Sequence, residues 1–121
     1  MVFAYLVTIK LRRAEDVATF LVGFGPLLTF SNRNEAETLT YEIHRDESCD
    51  RTLLILERYQ SSESLEAHRQ SQAFQDFGAY LREKDIIESK SQGRFFTELL
   101  DASFAAAQLS DQHINGEPPK R

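Results

Sequence analysis

Two segments, "VFAYLVTIKL" (Val2–Leu11) and "RTLLILERY" (Arg51–Tyr59), are apolar at both alternating parities. Each is strand length. In the first, Phe3, Tyr5, Val7 and Ile9 share one face, and Val2, Ala4 and Leu6 share the other. In the second, Leu53 and Ile55 oppose Leu54 and Leu56. A strand that is apolar on both faces must be covered on both. The chain therefore needs a sheet with helices on one face and something else on the other.

The segments between supply the helices. In Ala14–Phe30, Val17, Phe20, Leu21, Phe24, Leu27 and Leu28 recur at helical spacing. "GFGP" interrupts this stripe and predicts a bend or break there. "SNRNEAE" reads as loop. "TLTYEIHR" alternates as a strand, with Leu39, Tyr41 and Ile43 on one face. "DESCD" reads as the turn of a hairpin joining it to the following strand. Ser61 or Ser62 caps a helix that places Leu65 and His68 on one side. Ser71 caps a second, with Phe74, Phe77 and Leu81 as its stripe. "SQG" closes a polar loop, and "RFFTELL" is the last strand. The order β-α-β-β-α-α-β is an α+β, ferredoxin-like split βαβ arrangement. One helical layer covers one sheet face, so the remaining apolar face predicts a homodimer with sheets packed face to face.

At 121 residues one domain is expected. It should span residues 1–100, followed by a short helical extension over 101–110 ("DASFAAAQL" at its heart) and a polar, Gly/Pro-containing, disordered tail over 111–121. In the extension, Phe104, Ala107 and Leu109 would cap a pocket mouth or extend the dimer contact. The net charge of -5, without a basic run, excludes an evident nucleic-acid or anionic-membrane partner. The N-terminal apolar run lacks a preceding positive region and is too short to span a bilayer. A cytoplasmic, soluble protein is the expectation. The one cysteine, Cys49, excludes an intrachain disulfide, and its acidic flanks should raise its thiol pKa. No zinc spacing, nucleophile elbow or phosphate loop occurs, and no metal or cofactor is expected.

The hairpin "TLTYEIHRDESCDRTLLILERY" followed by "SSESLEAHRQSQAFQDF" resembles the antibiotic biosynthesis monooxygenase family. Its pattern is a Tyr-containing strand, an acidic turn, Glu-x-aromatic, then a helix with His-x-x-Ser-x-x-Phe. Tyr41, Arg45-Asp46, Glu57-Arg58-Tyr59, His68, Ser71 and Phe74 supply it. The resemblance covers roughly residues 2–100 and implies a dimeric α/β barrel of ferredoxin-like protomers. In the haem-degrading branch an iron-binding histidine falls near Gly78 and a pocket asparagine near Leu6; neither is present here, so haem degradation is set aside. Where many members carry tryptophan, this chain has Tyr59.

The resemblance implies a cofactor-independent monooxygenase of a small hydroxylated aromatic, quinol or polyketide-type substrate, with molecular oxygen as co-substrate. A non-oxidative cyclase, isomerase or decarboxylase, or a dimeric ligand-binding protein, is the alternative. His68, Tyr59 and Glu57 are the candidate catalytic residues. His68 either takes a substrate proton or hydrogen-bonds Glu57 or a buried carbonyl to lock its helix. Glu57, among apolar neighbours, must be paired or protonated. Tyr41, Phe20, Phe24, Phe74 and Phe77 are the candidate substrate-binding wall, with aromatic core as their other role. His44 reads as a surface residue. The charge runs "NEAE" and "LREKD" read as solvated faces.

Overall fold

The structure, a computed structural model, describes residues 1–99. The expected extension and tail, with Phe104, Ala107 and Leu109, lie outside the described residues, as does the end of "RFFTELL". The elements run β1 (Phe3–Leu11), α1 (Asp16–Asn34), β2 (Thr38–Arg45), β3 (Thr52–Tyr59), α2 (Ser62–Gln70), α3 (Gln72–Lys84), β4 (Ile87–Lys90) and β5 (Arg94–Thr97). The sheet order is β2-β3-β1-β4, all antiparallel, with β5 also pairing β1. This is the ferredoxin-like α+β fold.

Period-2 alternation sets which side chains meet the helices. The registers Val7↔Ile55 and Ile43↔Ile55 put β1, β2 and β3 side chains of one parity in line. Val7, Ile9, Leu53, Ile55 and Tyr41 are buried on that face, against Phe20, Phe24 and Leu27 of α1 and Phe77 of α3. On the opposite face Leu6, Leu54 and Leu56 are half-buried, and Arg58 bridges to Thr40 Oγ1 at 3.0 Å and to both oxygens of Glu98 at 2.8–2.9 Å. A bulge between Thr38 and Thr40 starts β2, and at the other end Asp46 Oδ1 accepts from Ser48 N at 2.8 Å to set the hairpin turn.

Two expectations are corrected. First, α1 runs unbroken through "GFGP". Pro26 removes only the hydrogen bond to the Val22 carbonyl, and Val22 is exposed, so water can replace the missing donor. Gly23 is there for contact: a Cβ would overlap the Tyr80 ring, which Tyr80 Oη anchors by donating to the Thr19 carbonyl at 2.7 Å. Second, "IESK" is a strand, and the last strand comes in two pieces. β4 pairs the C-terminal half of β1 (Ile9↔Lys90), and β5 the N-terminal half (Leu6↔Arg94). Between them Ser91 Oγ accepts from Thr8 N at 2.9 Å. Backbone pairing alone makes β4 a strand; its side chains carry no alternation.

The helix caps agree with expectation. Ser61 Oγ accepts from Ser64 N and Ser71 Oγ from Phe74 N, both at 3.2 Å. Asp85 closes α3 in the left-handed region (φ 50), its side chain held by Arg12 Nη2 at 3.1 Å.

Candidate active site

A cavity of about 440 Å³ lies between the sheet and α3. Its floor is built by strand parity. Tyr41 on β2 and Tyr5 on β1 both sit opposite Glu57 on β3, so the three side chains project together from the helix-facing side. Phe74, Phe77 and Gly78 of α3 form the roof. Arg69, at the end of α2, and Lys90, at the end of β4, complete the wall.

Glu57 is the buried carboxylate of this cavity. Tyr59 Oη donates to its Oε1 at 2.5 Å. Burial pushes the Glu57 carboxyl pKa up; the Tyr59 bond, then His68, Arg69 and Lys90, pull it partly back. Burial likewise raises the phenol pKa values of Tyr41 and Tyr59, reinforced by the negative charge of Glu57. Both tyrosines therefore stay protonated at neutral pH and serve as hydrogen-bond donors. Tyr59 spends its hydrogen on Glu57. Tyr41 lines the cavity without a protein partner for its hydroxyl among the described residues.

His68 is fully buried and stands behind the cavity wall. Tyr41 and Phe74 meet its ring edge-on at 4.8 and 5.3 Å between centroids, and Tyr59 lies at 5.7 Å. Its Nδ1 bonds Glu35 Oε1 at 2.8 Å, with Ser31 Oγ at 3.5 Å. A carboxylate accepts, so Nδ1 carries a hydrogen. Nε2 is buried with no hydrogen-bond partner among the described residues. The histidine's partner is thus Glu35, neither Glu57 nor a backbone carbonyl. Glu35 comes from "NEAE", which the charge pattern assigns to solvent; instead, its side chain is only 14% exposed.

Of the other candidates, Tyr41, Glu57, Phe74 and Phe77 line the cavity, whereas Tyr59 is fully buried beside Glu57 and does not line it. Phe20 and Phe24 do not line it: they pack in the core, Phe20 edge-on to Phe77 at 5.3 Å, behind the roof. Four residues at or behind the cavity fall outside the expected set: Tyr5, Arg69, Lys90 and Glu35. Tyr5 was accessible from its parity with Val7 and Ile9. Arg69 had only its place beside His68, and Lys90 was hidden with β4.

Cys49 is corrected too. Thr52 Oγ1 donates to its Sγ at 3.2 Å, and that bond, with a backbone contribution at Arg51, lowers the thiol pKa despite the acidic flanks. His44 is exposed and bonds Glu42 at 3.0 Å. Among the described residues no cluster of three His, Cys, Asp or Glu could hold a metal ion. No helix among them is long and apolar enough to cross a membrane.

Against known proteins, residues 5–80 match the family model for antibiotic biosynthesis monooxygenases. The chain belongs to that family. No curated protein sequence matches it. Among solved structures, a Caulobacter crescentus protein assigned by inference to antibiotic biosynthesis monooxygenases superposes with a TM-score of 0.74 at 20% identity, covering 82% of this chain and 91% of the other. A conserved protein from Methanosarcina mazei gives 0.71 at 16% identity, with coverages of 82% and 94%. Rv0793 from Mycobacterium tuberculosis gives 0.69 at 18%, with coverages of 84% and 99%. At such identities these structures establish the fold.

Proposed function

We propose that this protein is a cofactor-independent monooxygenase acting on a small hydroxylated aromatic, quinol or polyketide-type substrate. The observation that carries this reading is a buried carboxylate, with its pKa raised, in the floor of an aromatic-walled cavity. Without a cofactor, the substrate must supply the electrons. A phenol, quinol or anthrone can do so once deprotonated, because its anion reduces oxygen directly. For an anthrone, the ring CH₂ becomes C=O, and the two hydrogens leave with the second oxygen atom as water.

Glu57 is the proton acceptor in this reading, because it lines the cavity and His68 does not. Its raised pKa brings it closer to neutrality, where a general base works best. Tyr41 donates to the developing oxyanion. Tyr59 holds Glu57, and His68 orients Tyr41 and Phe74 from behind. The protein acts as a homodimer joined through the second sheet face, where Leu6, Leu54 and Leu56 are presented.

The test is an assay of quinols, anthrones and enolisable polyketide mimics in air and under nitrogen, with product masses read. A gain of one oxygen with loss of two hydrogens in air alone, above the no-protein control, supports the reading. Turnover that persists under nitrogen replaces it with a cyclase, isomerase or decarboxylase. Ligand-induced melting shifts without turnover replace it with a binding protein.

A further inference from the structure

We propose that the ligand of this cavity is an anion: a hydroxylated arene bearing a carboxylate, whose hydroxyl meets Glu57 and Tyr41 and whose carboxylate meets Arg69 and Lys90. The proposal rests on the reading of this cavity as the substrate site.

Arg69 and Lys90 line the same cavity as Glu57. In a chain of net charge -5, two cations beside one small cavity run against the overall balance. The ion pairs among the described residues engage Lys10, Arg12, Arg13, Arg51 and Arg58, but neither of these two. Both are near enough to bias Glu57 electrostatically, yet neither forms an ion pair with it. A bound anion would fill that gap.

The Arg69 guanidinium lies over the Tyr5 ring, 5.3 Å from its centroid. Stacking occupies the flat face and leaves the N–H edge for a carboxylate, which that fork matches in two parallel bonds. Lys90 adds a second positive charge at the wall. The aromatic roof takes the ring between the two polar ends. At about 440 Å³ the cavity is at the small end of ligand sites, which suits one to three fused rings.

The experiment is titration calorimetry under nitrogen, with hydroxynaphthoate and its uncharged counterpart naphthol as probes. Wild type should bind hydroxynaphthoate about tenfold or more tightly than naphthol, consistent with charge-assisted bonding. Salt should erode the difference. Arg69→Gln and Lys90→Gln should each reduce the preference severalfold, and Arg69→Lys should keep part of it. Lys90 is exposed and Arg69 half-buried, so these variants should fold, and their melting curves check that. Equal affinity for the two probes, binding of neither, or a preference untouched by both Gln variants overturns the proposal. Oxygenation of naphthol with no charge preference would sink it alone. Charge-selective binding with no oxygen-dependent turnover would sink the monooxygenase reading alone.

Discussion

The Tyr59 hydroxyl donates to Glu57 Oε1 at 2.5 Å, from a fully buried phenol to a carboxylate that faces the cavity. They stand two residues apart on one face of β3, so strand geometry alone brings them together. Because this bond lowers the Glu57 pKa, Tyr59→Phe should raise it further. The base-dependent limb of the pH–rate profile should then move to higher pH. Stability should fall by about 1–3 kcal/mol as Glu57 loses its donor. A profile that stays in place would remove Tyr59 from the site.

Glu57→Gln should separate stability from activity. A carboxyl whose pKa is raised in the fold favours the folded state fully at pH below its unfolded value, about 4.3. That contribution is lost as pH rises through the raised value. Glutamine has no such dependence and keeps a carbonyl to accept from Tyr59. Relative to wild type, Glu57→Gln should therefore gain in melting temperature over the range above about pH 4.3, while turnover drops about 10²–10⁴-fold. Thermal melts across that range check the first part, and a flat difference would contradict it.

Glu35 is the closer of the two partners of His68 Nδ1, at 2.8 Å against 3.5 Å for Ser31 Oγ. Glu35→Ala should cost about 1–3 kcal/mol in denaturant unfolding. Glu35→Gln, which retains an acceptor oxygen, should recover much of that. Equal losses in both variants would mean that charge, rather than the hydrogen bond, is what His68 needs.

The glycines of α1 should respond in opposite directions. Gly25→Ala meets nothing among the described residues within 4 Å and should gain about 0.5–1 kcal/mol from helix propensity. Gly23→Ala meets the anchored Tyr80 ring and should lose about 1–3 kcal/mol. Stability gains of similar size at both positions would show that the α1–α3 contact is looser than drawn.

The second sheet face offers the dimer test. Leu56 is half-buried there, opposite Leu6 on β1. Leu56→Arg should convert a dimer to a monomer in sedimentation. An unchanged mass would place the interface elsewhere.

The core strands were legible because apolar residues at both parities leave few other structures open to them. The serine caps were legible because the hydroxyl precedes each helical stripe. Glu35 was not: its partner is 33 positions away, and an acidic run looks the same whether one member turns inward or none does. β4 was hidden because a short edge strand can be specified by its neighbour's free backbone groups. The sequence also grouped Phe20 and Phe24 with the cavity wall. Helical spacing identifies a buried face but does not say which buried residues border empty space.

Ser71 joins α2 to α3 with one hydroxyl, donating to the His68 carbonyl at 2.7 Å and accepting from the Phe74 amide. The floor of the cavity belongs to the sheet and its roof to α3, and this serine holds the roof at its edge. Such a division uncouples chemistry from size. Substitutions along α3 can reshape the space above Glu57 and retune which molecules enter, while the strand registers that place the carboxylate stay untouched.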